Sequence, residues 1–318
     1  MKRQLSVFAL FTLAGALPAY SQEPVKAAAT ETAPTEITIN DTRVGAENLV
    51  ASQDGTVFFG SMSRGTIYRA LPGAVQADAW IGAQANGLAS VAGVLAHDES
   101  GTLWVCANAP FGRGAAGTPG VQTALRAFDL KTGAVKGTYP FPGGGLGNDV
   151  AIAADGTAYT TDTMGGRVLR LRPGAQALEV WLTAPDLRGV DGISLLADGS
   201  VYVNNVFNGK LLRIAVNGDG TAGPIAALET SLPFSRPDGL RTSGPKTLLQ
   251  AEGSGRLTEI TIEGGRGQVR VIKEGLNRAT GVTRIGAMAV VLVEGSKAVL
   301  VPLAATNVPA TPEPEIRK

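Results

Sequence analysis

The sequence predicts an all-β chain: a six-bladed β-propeller with four-stranded antiparallel blades around a central channel. Composition is the first ground. Over 318 residues, 42 glycines and 18 prolines are scattered among Val, Thr, Leu and Ile, the mixture that builds many short strands joined by tight turns. A repeat is the second. Asp54-Gly55-Thr56-Val57-Phe58, Ser100-Gly101-Thr102-Leu103-Trp104, Asp155-Gly156-Thr157-Ala158-Tyr159 and Asp198-Gly199-Ser200-Val201-Tyr202 are copies of one turn-and-strand unit. Asp-Gly suits a tight hairpin because Gly accepts positive φ and Asp tolerates it. Weaker copies at Ser243-Gly244-Pro245 and Ile285-Gly286-Ala287 bring the count to six, with the turn glycines 42 to 55 residues apart. The third ground is a further hairpin signature trailing the turns, as in Gly65-Thr66-Ile67-Tyr68-Arg69, Gly166-Arg167-Val168-Leu169-Arg170, Gly209-Lys210-Leu211-Leu212-Arg213 and Gly255-Arg256-Leu257-Thr258-Glu259. Two hairpins make a four-stranded blade, and a period of roughly 40–50 residues belongs to propeller arrays, whose closure leaves only short protected edges.

Taken in order, residues 1–21 read as a secretory signal: Lys2 and Arg3, an apolar stretch from Leu5 to Leu17, and small residues around Ala19-Tyr20-Ser21. Cleavage is expected after Ser21, and export to the periplasm is expected first, to the exterior second. No later segment reaches the roughly 20 uninterrupted apolar residues of a membrane helix, so no membrane insertion is expected. Residues 22–35 read as a flexible segment, 36–303 as the propeller, and 304–318 as a disordered tail rich in Pro, Ala, Thr and charge. A strand around Glu36 to Ile39 is expected to join the last blade and close the ring. The longest interval between turns holds a Gly, Ala and Pro-rich insertion from Ala107 to Thr123. It reads as a lid, with Phe111 and Arg113 against a substrate, or as a surface loop. Without the signal, 26 Lys and Arg face 27 Asp and Glu, a balance that gives no support to nucleic-acid binding. A single cysteine, Cys106, excludes an intramolecular disulfide and reads as a small buried apolar side chain.

One register position near the start of each blade carries the chemistry. It holds Glu47, Ala92, Asn148, Asp191, Asp238 and Thr280, and apolar runs follow, as in Asn148-Asp149-Val150-Ala151-Ile152. The innermost strand of a blade lines the channel, so equivalent positions converge on its axis. Carboxylates pushed together repel and are costly to bury unpaired; a cation resolves this. Glu47, Asn148, Asp191 and Asp238 offer only oxygen, which fits a hard divalent ion, Ca²⁺ before Mg²⁺. Zn²⁺ fits less well, because His97 and Cys106 are the only softer ligands and both fall in one blade. Asp149 is expected to orient Asn148 from behind.

The pattern resembles the gluconolactonase and senescence-marker-protein family, which includes regucalcin, over about residues 44 to 303. The resemblance rests on Glu47, Asn148-Asp149 ahead of an Asp-Gly turn, Asp191-Gly192-Ile193 and Pro237-Asp238-Gly239-Leu240. It implies a lactone hydrolase holding a divalent cation through Glu47, Asn148, Asp191 and Asp238. Two positions depart from the family pattern: Asp191 stands where Asn is common, and Leu146 stands where sugar lactonases often carry a substrate-gripping Arg. In this reading the cation polarises the carbonyl of a small lactone or ester, and Asp238, or else Asp191, takes a proton from the attacking water. The rival from another class is a non-catalytic propeller that binds a ligand or protein partner and uses Ca²⁺ only to stiffen its hub. A lyase relying on paired histidines is weakened by the single His97.

Overall fold

The computed structural model describes residues 35–83, 86–110 and 121–303. The expected signal, residues 22–34 of the flexible segment, the tail, and Phe111 and Arg113 lie outside the described residues. Within them the chain is all-β and of the propeller type. After β1 (Glu36–Ile39) come β2 (Ala46–Ala51), β3 (Val57–Ser61), β4 (Ile67–Ala70) and β5 (Gln76–Ile81). A four-stranded sheet follows, from β6 (Ser90–His97), β7 (Thr102–Asn108), β8 (Ala124–Asp129) and β9 (Val135–Pro140). The next comprises β10 (Gly147–Ile152), β11 (Ala158–Asp162), β12 (Arg167–Leu171) and β13 (Glu179–Thr183), and the one after it β14 (Val190–Leu195), β15 (Val201–Asn205), β16 (Leu211–Val216) and β17 (Ala222–Ala227). A five-stranded sheet then adds the short β18 (Glu229–Thr230) to β19 (Pro237–Gly244), β20 (Thr247–Glu252), β21 (Arg256–Glu263) and β22 (Arg266–Lys273). The last strands are β23 (Val282–Ile285), β24 (Met288–Val293) and β25 (Lys297–Pro302).

Within each sheet consecutive strands pair antiparallel. The short β18, which adds parallel to β22, is one exception, and β1, which ties the ends of the chain together, is the other. It pairs antiparallel with β25 and parallel with β5, merging the first and last groups of strands into one eight-stranded sheet. The first strands of successive groups pack on one another around a cycle, β2 on β6, β6 on β10, β10 on β14, β14 on β19, β19 on β23 and β23 back on β2.

Hydrophobic clusters fill the spaces between neighbouring groups. Phe58 and Ile67 pack with Val91, Val105 and Phe128, Tyr159 and Val168 with Val203 and Leu212, and Leu49 and Phe59 with Val290 and Leu292. Each fully buried Leu, Val, Ile or Phe contributes about 1.5–3 kcal/mol, so adhesion between sheets rather than any one sheet holds the array.

The turns that revealed the repeat are wider than two residues. Ser52 donates its N–H to Thr56 O, Ala153 to Thr157 O and Leu196 to Ser200 O, so each loop has three residues with the glycine last and at positive φ. The aspartate caps the loop: the Oδ1 atoms of Asp54, Asp155 and Asp198 accept from the N–H groups of Thr56, Thr157 and Ser200 at 2.9, 2.8 and 3.0 Å. The weak copy at Gly244 differs. Gly244 pairs with Thr247 at the end of β19 and has no positive φ.

Candidate functional site

The backbone makes the site before the side chains do. Five first strands carry a register shift at the candidate position: between Ala46 and Asn48, Val91 and Val94, Gly147 and Val150, Val190 and Ile193, and Pro237 and Leu240. A bulge leaves a residue unpaired, bends the strand and re-aims its side chain. The residue after the candidate is Gly93, Gly192, Gly239 or Gly281 in four strands, and crowding is the reason. A Cβ on Gly93 would come within 2.2 Å of Asn148 O, one on Gly192 within 2.4 Å of Asp238 O, and one on Gly239 within 2.7 Å of Thr280 O.

Glu47, Asp191 and Asp238 are brought together. One carboxylate oxygen from each lies within 4.8 Å of the others. Asp191 is buried, and Glu47 and Asp238 are half-buried at the mouth. Asn148 joins them, donating Nδ2 to Asp191 Oδ2 at 2.9 Å and to Thr163 Oγ1 at 3.2 Å. Ala92 contributes no ligand, whereas Thr280 brings a buried hydroxyl. Burial, then Asp191 and Asp149, hold the Glu47 carboxyl well above the usual range. Burial, then Asp191 and Glu47, do the same to Asp238. Asp191 is pushed up to about 7 by burial and by Asp149, against hydrogen bonds from Asp238 and Asn148.

Four buried oxygens here have no hydrogen-bond partner: Glu47 Oε2, Asn148 Oδ1, Asp191 Oδ1 and Thr280 Oγ1. Elsewhere buried carboxylates are satisfied. Asp162 accepts from Leu146 N, Gly165 N and Arg167, and Glu252 accepts from Ser235 N, Thr258 and Arg256. Three of the four unpartnered oxygens, from Glu47, Asn148 and Asp191, are acceptors with no donor, the chemistry of a hard-cation site, and this set of oxygens fits one.

Asp149 does something other than orient Asn148. Its fully buried carboxylate takes both Arg241 nitrogens, at 2.5 and 2.9 Å, and also accepts from Asn48 Nδ2 and from the N–H groups of Val150 and Ile193. Arg241, on β19, further donates to Leu240 O and Val94 O. The side chain thus joins three first strands under the acidic cluster and supplies the positive charge nearest to it. An Arg at a position where the other first strands carry uncharged residues, between Leu240 and Thr242, is the sequence signal for it. Asn204 and Thr161 brace the same layer: Asn204 accepts from Gly192 N and donates to Asp238 O, and Thr161 donates to Asp191 O.

A second feature of the mouth escaped the sequence. Two residues before the candidate position, four strands enter with positive φ: Gly45 (47°), Gly189 (88°), Arg236 (53°) and Arg278 (50°). Glycine is at ease there, whereas a non-glycine residue is strained by about 1–2 kcal/mol. The equivalent residue before Asn148 is Leu146, whose N–H donates to Asp162 Oδ1. His97 lies at the far end of β6 from Ala92, with Nδ1 2.7 Å from Ser100 Oγ. Cys106 is buried beside Thr160, and burial pushes its thiol pKa up.

No known family model matches the chain, and no curated protein matches it in sequence. Solved structures do match in fold. One is a gluconolactonase from Xanthomonas campestris, with a TM-score of 0.64, 15% identity and coverage of 84% of this chain and 89% of that one. Another is virginiamycin B lyase from Staphylococcus aureus in a catalytically inactive form with quinupristin, with a TM-score of 0.60, 15% identity and coverage of 83% and 82%. A chain of the nidogen/laminin complex matches with a TM-score of 0.56, 17% identity and coverage of 75% and 86%. The chain therefore has a gluconolactonase-like propeller fold, one that catalytic and binding proteins share.

Proposed function

We propose that this chain is a metal-dependent hydrolase of the gluconolactonase-like type, opening a lactone or related ester at the acidic mouth of a six-bladed propeller. In this count the eight-stranded sheet is two blades joined by β1. The observation that carries the reading is the convergence of Glu47, Asp191 and Asp238 within 4.8 Å, with oxygens of Glu47, Asn148 and Asp191 buried and unpartnered. Glu47, Asn148, Asp191 and Asp238 would hold the cation, and a flexible all-oxygen set that mixes carboxylates with an amide favours Ca²⁺ over the stricter octahedron of Mg²⁺. A divalent cation there supplies Lewis acidity toward a carbonyl and lowers the pKa of a water.

The rest falls to the chain. Asp238, half-buried at the mouth and carrying a raised pKa, is the first choice to take the proton from the attacking water; Asp191, deeper, is the second. Asn148 is fixed between Asp191 and Thr163, which aims its Oδ1 away from its own donors. Arg241 and Asp149 balance charge beneath the cluster. Export through the segment 1–21 would place the protein in the periplasm or outside the cell. A histidine-dependent lyase reaction finds no support, since the one histidine of the sequence, His97, is at the opposite end of its strand.

The chain from Gln22 onward, assayed on a lactone panel with and without chelator, tests the reading. Chelation abolishes hydrolysis, and Asp238→Ala lowers kcat/KM by about 10²-fold or more. Hydrolysis indifferent to both contradicts it. A second reading, a non-catalytic propeller with a structural cation, is favoured by one observation: the orphaned oxygens need only an ion to be satisfied. It predicts that chelator lowers Tm while no ester or lactone is consumed.

A further inference from the structure

Resting on that reading, we infer that the substrate carries an anionic group, a carboxylate beside the lactone or ester, and that Arg278 and Arg43 bind it. A groove of about 720 Å³ opens between the first and last groups of strands, and Glu47 and Thr280 of the candidate site form part of its wall. Arg43, Arg64 and Arg278 line the same groove and are exposed. Arg64 is committed to Asp41, at 3.1 Å. Among the described residues, the guanidinium groups of Arg43 and Arg278 have neither an ion pair nor a hydrogen bond, so both remain free for a ligand in the groove they line. The opposing charge on the groove wall is Glu294, which accepts from Asn277 Nδ2 and lies near Lys297; Glu47 belongs to the cation set.

The backbone supports the assignment independently. Arg278 enters its strand at φ 50°, where the equivalent residue before Glu47 is Gly45 at φ 47° and before Asp191 is Gly189 at φ 88°. A position that the fold fills with glycine elsewhere holds a strained arginine beside the site, and strain of this kind collects at ligand clamps. Arg236 shares the strain but donates to Gly253 O, so its guanidinium is partly spent on its own loop. A planar guanidinium is suited to a carboxylate. With Leu146 on the other side of the mouth, the grip on substrate falls to the first and last groups of strands.

The test compares glucarolactone, which bears a free carboxylate, with neutral gluconolactone on the metal-loaded protein. The wild type prefers glucarolactone in kcat/KM by about tenfold or more, the worth of a charge-assisted hydrogen bond. Arg278→Gly, which takes the backbone already seen at Gly45, raises KM for glucarolactone about tenfold with kcat unchanged and leaves gluconolactone unaffected; Arg278→Lys restores part of the loss. Equal efficiency on both lactones, or an Arg278→Gly enzyme that keeps the preference, overturns the inference. If neither lactone is turned over, the hydrolase reading fails, and calorimetric binding of the same two compounds decides the anion site separately. Tighter binding of glucarolactone that Arg278→Gly removes supports the site, and equal binding overturns it.

Discussion

The two ends of the first strands use the same residues to opposite effect. At the far end, Asp54, Asp155 and Asp198 precede glycines, and each caps its own loop by accepting a backbone N–H two residues on. Hydrogen bonds from Ser52 and Thr56 hold the Asp54 carboxyl below the usual range, and those from Ser200, Tyr202 and Arg213 outweigh burial to do the same for Asp198. At the near end, Asp191 and Asp238 also precede glycines, but they sit in bulges, face Glu47 and have raised pKa values. The difference lies in donors. A carboxylate supplied with local N–H groups is content as an anion; one aimed at other carboxylates is driven to take up a proton or could be satisfied by a cation. An Asp-Gly pair in sequence therefore says nothing of which end it occupies until the repeat is aligned.

The largest effect that sharpens this contrast concerns Arg241. Replacing it by Met leaves the buried Asp149 charge uncompensated and costs about 3–5 kcal/mol in denaturant unfolding, whereas Asp155→Ala at the far end costs about 1 kcal/mol or less. Equal losses would break the contrast.

Next is pH. Without a cation, Asp191 titrates near 7 when folded and near 4 when unfolded. The folded chain then holds the extra proton between those values, and stability falls as pH rises from about 4 to about 7. Asp198, with its lowered pKa, acts in the other direction and more weakly: its stabilisation is present above about 4 and is lost as pH falls below. Unfolding in chelator at pH 5 and pH 8 reads the decline, and saturating Ca²⁺ is expected to cancel it. A smaller effect follows from the same repulsion. Asp191→Asn stabilises the chelated protein at pH 8 by about 1–2 kcal/mol, while the Asp→Asn change at Asp198 weakens it slightly.

Much of this was legible in the sequence because it is local. The turn repeat, the hairpin signature and the strand at Glu36 all rest on neighbouring residues, and the observed pairing of β1 with β25 follows that expectation. The shared register of Glu47, Asn148, Asp191 and Asp238 was legible as well, since repeat alignment converts distance along the chain into proximity at the axis. What escaped is what depends on distant partners. Asp149 was expected to serve its neighbour Asn148 and instead meets Arg241, 92 positions away. Thr280 was passed over as a ligand because its hydroxyl is ordinary in sequence, yet it is buried and unpartnered beside Glu47. The positive φ at Arg236 and Arg278 is invisible to any reading of residue type, since arginine is not a residue chosen for that backbone.

Calorimetric titration of the chelated protein with Ca²⁺ reads whether the near-end carboxylates form a cation site. One ion is expected to bind per chain, with affinity lowered about tenfold or more by Asp191→Asn and by Asn148→Ala and unchanged by Asp155→Asn. No binding at millimolar Ca²⁺, or binding that the near-end substitutions leave intact, would contradict such a site.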